Sequence, residues 1–115
     1  MSEGVAWAWH QLERSAGNVA VSTLAAKLGC SRKHLIARFR DQVGLPPKLL
    51  ARILRFQRVL RRIDAAPTLP RWADVAADCG YFDQAHLIRE FREFSGSTPS
   101  DFLARLLPNG GGILG

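Results

Sequence analysis

Residues 25–47 read AAKLGCSRKHLIARFRDQVGLPP, and residues 76–99 read AADCGYFDQAHLIREFREFSGSTP. The two segments share ten identities at fixed spacing: Ala25/Ala76, Ala26/Ala77, Gly29/Gly80, His34/His86, Leu35/Leu87, Ile36/Ile88, Phe39/Phe91, Arg40/Arg92, Gly44/Gly96 and Pro47/Pro99. The offset is 51 residues up to the glycine and 52 beyond it, so the second turn holds one extra residue. Two copies are too few for a solenoid, which needs at least three stacked units. They fit two small helical modules that do one job at two places.

Each copy is a short helix, a tight glycine turn, and a second helix that opens with polar residues. That pattern is a helix-turn-helix. The alanine pair is expected to let the two helices approach closely. The glycine supplies a left-handed turn conformation. Leu35 and Phe39, or Leu87 and Phe91, are expected to lock the second helix onto the first.

Helical signals continue on both sides of the repeat, and no strand pattern stands out. Residues 3–15 form the first expected helix, with Val5, Trp9 and Leu12 on one stripe and an end near Gly17. Ser22 is expected to cap a helix from Thr23 to Leu28. Ser31 caps the next one, which runs to about Val43 and stops at Gly44. A long helix from Pro47 to Ala65 places Leu49, Ile53, Phe56, Leu60 and Ile63 on one face, widened by Leu50, Leu54 and Val59. The opposite face is assigned to Lys48, Arg52, Arg55, Arg58, Arg61 and Arg62. Residues 65–70 form a Pro-containing joint. Helices at about 71–79, 83–94 and 99–107 complete a set of seven. The expected organisation is a first subdomain over 1–45, a linker helix and joint over 46–66, a second subdomain over 67–107, and a flexible tail over 108–115.

Composition narrows the function. The chain has 115 residues, a net charge of +6, 47% hydrophobic and 23% charged residues, which suit a folded domain. Its apolar runs are too short to span a membrane, and Glu3 stands where a secretory signal would carry basic residues. A cytoplasmic location, associated with the nucleoid, is expected. The charge is uneven. Residues 27–64 hold eleven Lys and Arg against Asp41 and Asp64, a local +9, whereas residues 72–101 come to −4. A basic first module suits a polyanion such as nucleic acid, with a solvated helix face as the alternative. Cys30 and Cys79 make no C-x-x-C pair, and one Cys and one His per module do not complete a tetrahedral metal site. No metal or other cofactor is expected. A nucleophile elbow, a phosphate-cradling glycine loop and a catalytic carboxylate pair are all missing from the pattern, so no enzyme is expected.

The second copy carries the more diagnostic pattern: Val75-Ala76-Ala77-x-x-Gly80-Tyr81-Phe82-x-x-x-His86-Leu87-x-x-x-Phe91-Arg92-x-x-x-Gly96-x-Thr98-Pro99-x-x-Phe102. With it, the chain resembles the DNA-binding domain of AraC/XylS-type bacterial transcriptional regulators across roughly residues 5–106. The resemblance implies an all-α, homeodomain-like fold of seven helices: two helix-turn-helix subdomains joined by a long central linker helix. Val59 stands where that family's linker helix usually has alanine. Double-stranded DNA is the implied partner, with the second helix of each unit in successive major grooves on one face. The resemblance also implies an effector-binding and dimerising N-terminal domain in many members. This chain starts at Met and is read either as a complete small regulator or as a C-terminal portion.

Removing the core positions from the two second helices leaves the candidate DNA contacts. In the first unit they are Ser31, Arg32, Lys33, Ile36, Ala37 and Arg40. Arg32 and Lys33 carry long cationic arms to guanine edges or phosphates, Arg40 meets the backbone, and Ile36 and Ala37 suit thymine methyl groups. The resemblance places an arginine at Ala37, so that contact is missing. In the second unit the candidates are Gln84, Ala85, Ile88, Arg89 and Arg92. Gln84 suits adenine, and Arg89 occupies the family's arginine position. Asp83, Glu90 and Glu93 are expected to repel phosphates, so the first unit anchors and the second tunes. The alternative is that the acidic second unit docks on RNA polymerase or a partner domain. His34 and His86 suit either a phosphate hydrogen bond or packing. Arg38 is expected to cover the core with its stem if half-buried. Trp7, Trp9 and Trp72 are assigned to the core.

Overall fold

The computed structural model describes residues 1–66 and 68–106. The expected tail at 108–115, the end of the last helix at residue 107, and Pro67 of the joint lie outside the described residues. Among the described residues, seven α-helices follow in order: α1 (Glu3–Arg14), α2 (Val21–Leu28), α3 (Arg32–Val43), α4 (Pro47–Ala65), α5 (Trp72–Cys79), α6 (Gln84–Ser95) and α7 (Pro99–Leu106). No strand occurs among the described residues. The all-α, homeodomain-like architecture of two helix-turn-helices and a long helix after the first is therefore present. No helix is long and apolar enough to cross a membrane among the described residues. Contacts group the chain into two compact units, Met1–Ala65 and Ala66–Gly115.

In the first unit, α1 packs on α2, α3 and α4, and α3 also packs on α2 and α4. Its core is built from Val5, Ala8 and Leu12 of α1, Leu24 and Ala25 of α2, Leu35 and Phe39 of α3, and Leu50 and Ala51 of α4. Trp7 and Trp9 pack against it, with Trp9 stacked on Phe39 at 6.4 Å between ring centroids. The Ser2 hydroxyl caps α1, and the Ser2 amide donates to Gln42 Oε1 at 2.7 Å, tying the start of α1 to the end of α3. Gly29 and Gly44 end α2 and α3 in the left-handed conformation, at φ 71° and 97°.

Three local expectations need correction. The second helix begins at Val21 with Ala20 at its cap and no side-chain cap bond, so Ser22 lies inside the helix on an exposed face. Only the first alanine of each pair is packed: Ala25 and Ala76 are buried, Ala26 and Ala77 exposed. Adjacent helical residues point about 100° apart, so both cannot face one neighbour. The buried line of α4 is Pro47, Leu50, Ala51 and Val59. Leu49, Ile53, Phe56, Leu60 and Ile63 are half-buried, one step round the helix. Arg55 belongs to the packed side too, for its guanidinium donates to the Gly17 carbonyl at 3.4 Å.

The second unit repeats the device with less material. α6 packs on α5 and on α7. Val75, Ala76, Cys79, Tyr81, Leu87, Phe91 and Leu103 are buried, and Phe91 meets Phe102 edge-on at 5.3 Å. Trp72 is half-buried. Gly80 and Gly96 close α5 and α6 as left-handed C-caps. Thr98 accepts the Asp101 amide at 3.1 Å and so starts α7.

Candidate nucleic-acid interface

The second helix of a helix-turn-helix is useful only if its first turns stand clear of the core. In α3 the inward positions are Leu35 and Phe39, one helical turn apart and buried. Positions one step round carry Arg32, Lys33, Ile36, Ala37 and Arg40. These five side chains line a single shallow depression of about 490 Å3. Arg32, Lys33, Ala37 and Arg40 are exposed, and Ile36 is half-buried at the floor. Ser31, the remaining candidate, is the exposed N-cap and accepts the His34 amide at 3.0 Å. Among the described residues, Arg32, Lys33 and Arg40 are not held in ion pairs. Their charge is available to an incoming anion.

His34 and Arg38 lie apart from this surface. Together with Ser2, Val5 and Cys30 they border a separate cleft of about 220 Å3 between α1, α2 and α3. Arg38 is exposed, so the half-buried placement expected to cover the core does not occur.

In α6, Gln84, Ala85 and Arg89 are exposed and Ile88 is half-buried, the same exposure pattern as their counterparts in α3. Arg92 is exposed beside a second depression, shared with Gly96, Ser97, Thr98, Asp101 and Arg105 at the α6–α7 corner. Asp83 caps α6 by accepting the His86 amide at 2.8 Å. Its carboxylate thus serves the helix N-terminus, where a negative group is stabilised by the free amides and the helix dipole.

Glu90 is corrected by the structure. It is only 4% exposed, so its charge does not face an incoming phosphate. Its Oε2 lies 3.7 Å from His86 Nε2, one turn earlier on the same helix. The opposite side of the same imidazole accepts the Phe82 amide through Nδ1 at 3.1 Å. His86 is therefore a packing and turn-holding residue, edge-on to Tyr81 at 5.1 Å. Phe82, in the second turn that holds one extra residue, was not among the candidate contacts and is 92% exposed at the entrance to α6.

No group of three or more His, Cys, Asp or Glu able to hold a metal occurs among the described residues. Cys30 and Cys79 are free thiols, and Cys79 is buried.

Comparison with known proteins agrees with this geometry. A family model described as a helix-turn-helix domain matches residues 24–105, both helix-turn-helices and the long helix included. A probable AraC family transcriptional regulator from Rhodopseudomonas palustris CGA009 is 24% identical with a TM-score of 0.76, covering 93% of this chain and 100% of that one. The DNA-binding domain of AdpA, a global transcriptional factor solved in complex with a target DNA, is 26% identical with a TM-score of 0.76, covering 95% and 100%. The C-terminal domain of AraT, a response regulator from Geobacillus stearothermophilus, is 18% identical with a TM-score of 0.77, covering 88% and 84%. No curated protein matches the chain.

Proposed function

The chain belongs to the AraC-type helix-turn-helix family, the DNA-binding domains of transcriptional regulators, and on that premise we propose that α3 and α6 read successive major grooves on one face of double-stranded DNA. Membership of that family makes the domain a DNA-binding and regulatory one rather than an enzyme. The observation that carries the finer reading is the gathering of Arg32, Lys33, Ile36, Ala37 and Arg40 on one depression, with their charges unengaged. The likeness to AdpA, whose domain was solved on its target DNA, supports the same use of the fold here.

The roles follow from position. Arg32 and Lys33 begin α3, where side chains of a groove-lying helix meet base edges, and their donors match guanine O6 and N7. Ile36 and Ala37 offer apolar contact to thymine methyl groups. Arg40 lies two turns further on and meets a phosphate. In α6, Gln84 pairs with adenine, Arg89 with guanine, Ala85 and Ile88 add apolar contact, and Arg92 approaches the backbone. The first unit supplies most of the sequence-independent affinity, because cations dominate its surface while Asp74, Asp78, Glu93 and Asp101 are exposed on the second.

Arg40→Ala is expected to weaken binding almost equally on specific and random DNA. Its plot of log affinity against log salt should flatten by about 0.9, the slope of one lost phosphate contact. A slope equal to that of the unmodified protein would reject the phosphate role.

A further inference from the structure

The second turn is one residue longer than the first, and the hydrogen bonds identify which residue is added. Cys30 and Tyr81 are equivalent: Cys30 donates its amide to the Ala25 carbonyl at 3.0 Å, and Tyr81 to the Ala76 carbonyl at 2.9 Å. Ser31 and Asp83 are equivalent as N-caps of α3 and α6. Phe82, between Tyr81 and Asp83, is left without a counterpart.

Phe82 precedes the N-cap, a position where an apolar side chain often folds back onto the fourth residue of the helix. That residue is Leu87, fully buried, yet Phe82 is 92% exposed and makes no such staple. Its backbone is nonetheless fixed. The Asp83 carboxylate accepts the His86 amide, and the His86 ring accepts the Phe82 amide, a reciprocal cap at both ends of the first turn. The ring itself is positioned by Tyr81 and by the buried Glu90. A phenyl group on a held backbone therefore projects into solvent immediately before Gln84, Ala85 and Arg89.

We propose that Phe82 is a DNA-contact residue of the second unit, packing on a thymine C5-methyl group at the edge of the half-site read by α6. The proposal rests on α6 lying in the major groove, where the residues at its N-terminal end meet base edges. The chemistry of the side chain selects the methyl group: phenyl offers nothing to a phosphate, and aromatic contact with thymine methyl is an established mode of direct readout. It also suits a unit whose exposed carboxylates outnumber its arginines, since apolar contact needs no cation.

The test uses a bound DNA site obtained by selection, with each thymine of the α6 half-site replaced singly by deoxyuridine, which lacks the methyl group. The unmodified protein should lose about three- to tenfold in affinity at one such position, the scale of one buried methyl to a small apolar patch. Phe82→Ala should lose a similar factor on unmodified DNA and nothing further at that same deoxyuridine. Its thermal unfolding should match that of the unmodified protein, because the side chain is exposed. Weaker binding by Phe82→Ala with no coupling to any deoxyuridine would overturn the methyl contact. Normal binding by Phe82→Ala alongside weakened binding by Arg89→Ala would overturn the proposal while leaving α6 in the groove. Normal binding by both variants would remove the groove assignment of α6 as well.

Discussion

Gly17→Ala should destabilise the first unit by about 3–5 kcal/mol, the sum of backbone strain and an overpacked contact. Gly17 sits at φ 82°, directly after Ala16 at φ 51°, in the turn that leaves α1. A Cβ built on Gly17 falls 2.1 Å from the Ala51 carbonyl oxygen and 2.9 Å from its carbon, both backbone atoms of α4. Neither can rotate away as a side chain would. The same approach brings the Gly17 carbonyl to Arg55. Because α3 packs on both α1 and α4, separating those helices also disturbs the surface that carries Arg32 and Lys33. The control is Gly44→Ala. Gly44 shares the left-handed conformation at φ 97°, but nothing lies within 4 Å of its Cβ. It should cost only the conformational strain, about 1–2 kcal/mol. Urea unfolding measures both, and a midpoint for Gly17→Ala no lower than that for Gly44→Ala would show that the α1–α4 approach is not tight.

Arg32→Ala and Lys33→Ala are each expected to weaken binding to the preferred DNA by about 1–3 kcal/mol and to relax base preference in the α3 half-site. Both occupy the first turn of α3, which has no acidic residue there and only a neutral Ser31 cap. A cation at that end faces the positive pole of the helix dipole, an unfavourable placement of about 0.3–1 kcal/mol. On the proposed function, the two side chains detract from folding and serve binding instead. Each alanine variant should unfold at the same temperature as the parent or slightly above it, while its affinity falls. Binding titrations on specific and random DNA, paired with thermal unfolding, check this. A variant that loses stability and affinity together would mark the residue as structural. The contrast with α6 is direct, since Asp83 supplies its cap with a negative group.

Much of the fold was legible because the repeat falls on positions that packing and turns dictate. Leu35 and Leu87, Phe39 and Phe91 are all buried, and Gly29, Gly44, Gly80 and Gly96 all adopt positive φ. The exposed face of α3 was legible by subtraction: once the inward line of the helix is known, the residues one step round must face outward. What escaped was information that a residue type does not carry. α4 is apolar over so much of its circumference that periodicity alone could not choose Leu50 over Leu49. Glu90 counted as surface charge because a carboxylate usually is, although His86 stood four residues earlier, the spacing of helix-face neighbours. Phe82 was present in the diagnostic pattern, but an exposed phenyl cannot be told from a buried one without the turn geometry.

If both units read DNA, selection of sites from a random DNA pool should return two half-sites about one helical turn apart, roughly 34 Å. Footprinting of the parent protein and of Arg89→Ala on those sites should show Arg89→Ala losing preference in one half only. Protection confined to one turn, with Arg89→Ala indistinguishable from the parent, would contradict DNA reading by both units.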